Sequence, residues 1–275
     1  MDFYHIVLIV FALILGIAVG SFVNVLVFRL RSGARIGGRS KCMSCAKTLM
    51  PRMLVPLFSF IYQRGRCAYC KTRLSYQYPL VELALGLLYV AIVLVHQFDP
   101  LKTTLLQSFF VIADVIIWTT LLAITVYDLR HKIIPDTFSL LFAVVAGLVV
   151  LVKWNLGLLP EYFIPFVNSV PWWIDLAAGP LLALPFAALW FFSGGRAMGL
   201  GDAKLAWGMG WFLGFPYAVS AVILSFWVAF IPSLFLLFLS KRNLTMKSEI
   251  PFAPFLVIGT FLVYAMDINI LTWAL

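Results

Sequence analysis

The sequence predicts an all-α polytopic membrane protein of about eight transmembrane helices, with a small zinc-binding loop domain after the first helix. Three observations carry this. Hydrophobic residues make up 63% of the 275 residues and charged ones 11%, far from the roughly 45–50% and 25% of soluble domains. The apolar residues fall in runs near the twenty that cross a hydrocarbon core of about 30 Å. The basic residues, which leave a formal net charge of +9, cluster beside those runs. No basic helix or aromatic platform accompanies them, so the charge points to an anionic lipid leaflet and not to nucleic acid.

Hydropathy gives spans at about 4–28, 79–97, 104–126, 137–153, 173–192, 204–217, 219–239 and 252–271. The sixth is the weakest. The first is too long for the apolar core of a signal peptide and no small-residue cleavage site follows it, so it is expected to stay as a membrane helix. Orientation follows from Lys and Arg in the connecting segments. Eleven fall in 29–73, two are Arg130 and Lys132, two are Arg196 and Lys204, and three are Lys241, Arg242 and Lys247. Only Lys102 and Lys153 of the twenty lie on the opposite side, a bias that puts both termini on the outer face.

The expected domains are 1–28, the first membrane helix; 29–78, a basic cytoplasmic zinc-binding domain; and 79–275, a membrane-embedded catalytic domain. The stretch Arg29–Arg73 contains no Asp or Glu. The outer segment Trp154–Trp172 is rich in Pro and aromatics and is expected to lie at headgroup depth. No internal repeat long enough for a transporter built from inverted halves is visible.

All four cysteines form two CxxC pairs, Cys42/Cys45 and Cys67/Cys70, separated by twenty-one residues. Each CxxC turn brings two thiolates to one metal from the same side, and two turns complete a tetrahedral shell. Lys41, Lys47, Arg66 and Lys71 favour the thiolate form and offset a four-thiolate zinc centre of formal charge minus two. Disulfides are the other reading, disfavoured in a reducing compartment. Four protein ligands leave no open position, so the metal is expected to be structural.

The chain has only eleven acids, so each one near a span can be weighed singly. Asp128 closes the third span and Asp202, in Gly199-Leu200-Gly201-Asp202, opens the sixth; both are expected at the cytoplasmic face. Two carboxyls sharing a site retain one proton between them. One can take a proton from water as it attacks a peptide carbonyl, while the other donates to the carbonyl oxygen. Gly199 and Gly201 would let a substrate backbone approach and let the loop adopt positive φ. A bland alternative makes Asp202 a helix cap and Asp128 a partner of Arg130 or Lys132. Asp136 reads as an N-cap. Asp114 lies fourteen residues before Asp128, or about 21 Å along a helix, and so cannot share its depth. Glu82 enters the second span one turn from the inner face, and His5, His96 and His131 make no metal site.

Several stretches then combine. They are Gly20-Ser21-Phe22-Val23-Asn24-Val25 to Arg29-Leu30, the paired CxxC, Tyr78-Pro79-Leu80-Val81-Glu82-Leu83, Asp128 through Ile134-Pro135-Asp136, Gly199 to Lys204, and Ile250-Pro251-Phe252-Ala253-Pro254-Phe255. Together they resemble the bacterial prepilin peptidases, type IV prepilin leader peptidases and N-methyltransferases of the GxGD aspartic class. The resemblance implies that Asp128 and Asp202 are the catalytic pair and that the substrates are prepilins or pseudopilins, cut after a short basic leader. It further implies that the new amine is methylated with S-adenosylmethionine, for which Glu82 is the one candidate binding residue. No glycine-rich nucleotide loop is visible. Between the CxxC pairs the chain reads Met50-Pro51-Arg52-Met53-Leu54-Val55-Pro56-Leu57, where family members commonly carry a His-x-x-Pro-like or Asn-Ile-Pro segment. The competing readings are a peptidase without methyl transfer, and an ion transporter using Asp114, Asp128 and Asp202.

Overall fold

The computed structural model describes residues 3–32, 37–99, 103–164, 168–239 and 251–273. Arg35, Lys102, Lys241, Arg242, Lys247 and Ile250 lie outside the described residues. In chain order the helices are α1 (Phe3–Ser32), α2 (Phe58–Tyr62), α3 (Gln77–Val95), α4 (Leu105–His131), α5 (Asp136–Asn155), α6 (Ile174–Ser193), α7 (Leu200–Leu213), α8 (Phe215–Leu239), α9 (Ala253–Met266) and α10 (Ile270–Trp273). Six of them, α1, α3, α4, α5, α6 and α8, contain stretches long and apolar enough to cross a membrane, as expected of a multi-pass membrane protein.

The sixth expected span is as short as the sequence indicates, displaced toward the N-terminus, and the eighth comes out shorter than expected. Helices α7 and α9 have 14 residues each, about 21 Å at 1.5 Å per residue. Gly214, at φ +83, ends α7 before α8 begins, and Asp267, in the left-handed region, ends α9 before α10. The outer segment contains a short hairpin. Tyr162–Ile164 (β1) and Asn168–Val170 (β2) pair antiparallel, with Tyr162 opposite Val170.

The chain divides into two compact units, Met1–Ala123 and Ile124–Leu275, the division falling within α4. In the first, α1 packs along α3. Gly16 and Gly20, one turn apart on α1, make this possible: a Cβ on Gly20 would lie 2.8 Å from Glu82 Cα, and one on Gly16 2.6 Å from the Leu85 carbonyl oxygen. Small residues at this spacing let membrane helices approach backbone to backbone, where dispersion and polar contacts replace the missing hydrophobic drive. Val23, Val27 and Leu85 fill the same seam and are buried. Two polar links join α3 to the first half of α4. Tyr89 Oη lies 2.9 Å from Thr119 Oγ1, and His96 Nε2 lies 2.8 Å from Asp114 Oδ2. The intramembrane acid Asp114 thus meets a neighbouring helix end, and His96, which looked isolated in sequence, is the group it meets.

In the second unit α7 is central and packs on α5, α6, α8 and α9. Its Gly208 and Gly210 fit against the Phe142 ring and the Ala178 carbonyl, closer than a Cβ would allow. Asp175 is buried. It accepts the Phe215 N–H at 2.8 Å and the Tyr162 hydroxyl at 3.0 Å, tying the hairpin and the α7–α8 turn to the start of α6.

Candidate active site and metal centre

Asp128 lies in the last turn of α4, and the helix is closed just after it by Lys132 in the left-handed conformation, whose N–H returns to the Asp128 carbonyl at 2.7 Å. Asp202 is the third residue of α7, after the N-cap Gly199. Both side chains belong to the second unit and both are buried, at 5% and 8% exposure. Their carboxyl groups lie close enough that the charge of one acts on the other. The two acids, seventy-four residues apart in sequence, are therefore brought together.

Each carboxyl also receives a backbone donor. The Gly199 N–H points to Asp202, half of a capping box in which the third helical residue reaches back to the N-cap. The capping reading of Asp202 and the paired reading thus hold together. The Ala253 N–H, in the first turn of α9, points to Asp128. A helix start leaves N–H groups unpaired, so a carboxylate is a natural acceptor there. This contact lies in the stretch 250–255 yet is invisible in the sequence, because a backbone donor has no side-chain signature.

The glycines of the Gly199–Asp202 loop act differently from expectation. Gly199 has φ −76, and the glycines with positive φ in this region are Gly194 and Gly195. Gly201 is needed for space: a Cβ there would sit 2.9 Å from Ile134 Cβ. The turn between α4 and α5 thus nests directly on the start of α7. Asp136 departs from the N-cap reading as well. Pro135 is the N-cap of α5, and the Asp136 carboxylate pairs with Lys204 of α7 at 2.5 Å.

The cysteines form a second centre, in the first unit. All four sulfur atoms lie within 4.8 Å of one another, and Cys42 Sγ is 3.8 Å from Cys70 Sγ. Tetrahedral sulfurs at about 2.3 Å from a zinc ion would be about 3.8 Å apart, so the donor set fits a closed four-thiolate site. The two halves repeat each other with an offset of twenty-five residues. Cys42 and Cys67 donate their N–H to Lys47 and Thr72, Leu49 and Leu74 donate to Ser40 and Gly65, and Ala46 and Lys71 both take positive φ. The sequence carries this signal only faintly, as Ser40-Lys41-Cys42-Met43-Ser44-Cys45 beside Gly65-Arg66-Cys67-Ala68-Tyr69-Cys70, which share the cysteines and one basic residue.

Without metal the thiols divide their protons unevenly. N–H groups of Cys45 and Ser44 draw the Cys42 thiol down, and Thr72, by hydroxyl and N–H, draws Cys70 down to about 6. At Cys45 the Lys47 N–H pulls down, but burial and the neighbouring Cys42 and Cys70 outweigh it and push the thiol up to about 11. Cys42 and Cys70, one from each pair, are thus the thiols inclined to ionise and to meet a divalent cation first.

Glu82, also in the first unit, is buried among α1, α3 and the loop between them. Its Oε2 accepts the Leu57 N–H at 2.8 Å, and the Ser21 hydroxyl donates to it as well. Leu57 sits at φ 58, ψ −54 and the Phe58 N–H closes on the Pro56 carbonyl at 2.5 Å, a γ-turn of the strained kind. One turn further on, Asn24 donates to the Tyr78 carbonyl at 3.2 Å and accepts from Gln77 at 3.4 Å. The polar residues of the stretches 20–25 and 78–83 therefore meet, and Glu82 anchors the loop. Its carboxylate is thus partly engaged by the Leu57 N–H and the Ser21 hydroxyl.

Two family models match the chain. The Bacterial Peptidase A24 N-terminal domain covers residues 14–96 and the Type IV leader peptidase family covers residues 115–237. Curated relatives called prepilin leader peptidase/N-methyltransferase are similar over most of their length. That of Stutzerimonas stutzeri is 31% identical, covering 90% of this chain and 87% of its own. The Burkholderia pseudomallei (strain K96243) relative is 30% identical over 90% and 82%, and the Pseudomonas putida relative 28% over 94% and 93%. No solved structure matches.

Proposed function

The chain belongs to the type IV leader peptidase family, and on that premise we propose that it is a membrane aspartic endopeptidase whose catalytic pair is Asp128 and Asp202. Its substrates are type IV prepilins or pseudopilins, from which it removes the short basic leader, and it then N-methylates the exposed residue as its relatives' names describe. The observation that carries the reading is the convergence of two buried carboxyl groups from the end of α4 and the start of α7. One proton is shared by such a pair. The ionised carboxylate takes a proton from water while the water oxygen bonds to the scissile carbonyl carbon, and the protonated partner gives its proton to the carbonyl oxygen. When the carbon–nitrogen bond breaks, the first carboxyl returns its proton to the leaving amine.

Eighteen of the twenty basic residues on one set of connecting segments support an orientation with the pair at the cytoplasmic face of the inner membrane and both termini outside. Residues 29–78 are then a cytoplasmic domain and residues 79–275 the membrane-embedded peptidase domain. The four cysteines hold one structural zinc, which would order a basic loop too small to make its own core. S-adenosylmethionine is the methyl donor by resemblance, with Glu82 the one candidate residue for its site.

The test uses full-length prepilin and purified enzyme in detergent. Asp128→Asn and Asp202→Asn should each lower cleavage by about 10³-fold or more, with the protein accumulating at the usual level. Cleavage surviving either change in a folded protein refutes the pair. Methyl transfer is read separately, by adding labelled S-adenosylmethionine to mature pilin; an unlabelled terminal amine removes that activity and leaves the peptidase untouched.

A further inference from the structure

We propose that the Lys204–Asp136 ion pair is a positioning clamp for the carboxyl pair, holding the start of α7 against the start of α5 so that Asp202 faces Asp128. The inference rests on the peptidase reading. Lys204 Nζ and Asp136 Oδ1 are 2.5 Å apart although the residues are sixty-eight positions apart in sequence. Each lies near one of the acids along the chain: Lys204 is two residues after Asp202, and Asp136 follows the short turn that begins after Asp128 and His131.

Between the two lies the contact of Gly201 with Ile134, where the backbone of α7 leaves no room for a Cβ. That contact limits how closely the two segments approach. It does nothing to keep them from separating or sliding along each other. Further along the two helices Gly208 of α7 packs on the Phe142 ring of α5; at their starts the ion pair adds a restraint, since an ammonium on α7 bound to a carboxylate on α5 opposes separation and sliding there. The start of α7 is thus held by the ion pair, the Gly201–Ile134 contact and, further along, the Gly208–Phe142 contact.

Stability is not the reason for the pair. The side chains are 41% and 79% exposed, and exposed ion pairs contribute little to folding. Placement of reacting groups is far more sensitive, because misplacement by about 1 Å can cost about a hundredfold in rate. Neither side chain need touch substrate, so both are positioning residues.

The experiment measures kcat and KM for prepilin cleavage by full-length enzyme carrying Lys204→Met, Asp136→Asn, both changes together, and Lys204→Arg. Asp128→Asn and Asp202→Asn run beside them. Each single neutral change should lower kcat about tenfold and leave KM within about twofold. The double variant should be no worse than either single one, because the second change removes a link already broken. Lys204→Arg, which keeps the charge and can reach the carboxylate, should retain at least about a third of the rate. Wild-type kcat in both neutral variants overturns the clamp, as does a loss confined to Lys204→Met, or losses that multiply in the double variant. Active Asp128→Asn or Asp202→Asn enzyme would instead overturn the peptidase reading beneath it, so the two failures are told apart.

Discussion

Replacing Gly201 by Ala tests whether space at the α4–α5 turn sets the geometry of the acids. The added Cβ would fall 2.9 Å from Ile134 Cβ, 3.1 Å from Cδ1 and 3.2 Å from Cγ1. Carbon atoms rest at about 3.5–4.0 Å, so the segments must part by at least about 0.6 Å. Ile134 cannot absorb this by changing rotamer, because its nearest atom is Cβ, which rides on the backbone of a turn bounded by left-handed Lys132 and by Pro135. The displacement passes to the spacing between Asp128 and Asp202. With a hundredfold loss per ångström as the scale, kcat should fall by about tenfold. Alanine meanwhile favours a helix over glycine by about 1 kcal/mol, so the variant should be slower without being less helical. Gly199→Ala is the contrast. Its Cβ meets nothing nearer than Asp202 Oδ2 at 3.7 Å, and its φ of −76 suits any residue, so its rate should fall by less than about threefold. Trimming Ile134 to Ala in the Gly201→Ala enzyme should not restore the rate, since the offending Cβ remains. The assay is cleavage of prepilin in detergent by gel shift, with a thermal melt to verify folding. Wild-type kcat in Gly201→Ala, or full rescue by Ile134→Ala, refutes the reasoning.

Three further perturbations separate the parts. Cys67→Ser breaks the thiolate set at its most buried member. It should lose about one equivalent of zinc by elemental analysis and open residues 37–76 to protease, because the about 10–16 kcal/mol of a structural zinc site is also folding free energy for the loop; unchanged metal content would reject the site. Glu82→Ala removes the acceptor of the strained Leu57 N–H and leaves that donor without its partner, at about 1–3 kcal/mol. Limited proteolysis should then cut near residues 54–58 faster, and an unaltered pattern would mean that Glu82 does not anchor the loop. Gly210→Ala pushes a methyl group into the Ala178 carbonyl and should cost about 1–3 kcal/mol through overpacking. It would appear as a lower melting temperature with kcat of the surviving protein near normal, the opposite split from Gly201→Ala.

What the sequence discloses depends on whether the chemistry is local. The membrane helices were legible because one run of apolar residues decides each of them, and the metal centre because a CxxC turn brings two ligands together within four residues. The acids were legible for a different reason: in a chain this poor in charge, an acid at a membrane boundary is rarely incidental. Legibility failed where two distant segments decide the outcome together. Asp136 reads as an N-cap until Lys204, sixty-eight residues later, is seen beside it. His96 looks stray until Asp114 faces it. The hairpin at Tyr162 depends on a pairing partner that hydropathy does not register. The glycines near Asp202 were read as conformational freedom because that is glycine's local property, whereas at Gly201 the structure uses what it lacks, a side chain, against a neighbour.

The two short helices bear on why the acids meet where they do. At 14 residues each, α7 and α9 leave about 9 Å of a hydrocarbon core of about 30 Å without helix of their own. Irregular backbone at membrane depth is tolerated only where it is buried in protein or lines a polar cavity, and it brings unpaired N–H groups that need acceptors. Asp202 accepts the Gly199 N–H at the start of α7, and Asp128 accepts the Ala253 N–H at the start of α9. The carboxyl groups thus accept N–H groups that two helix starts leave unpaired, and those donors make two buried acids tolerable. Removing either carboxyl therefore leaves a helix-start N–H without its acceptor, a cost in stability separate from the loss of chemistry.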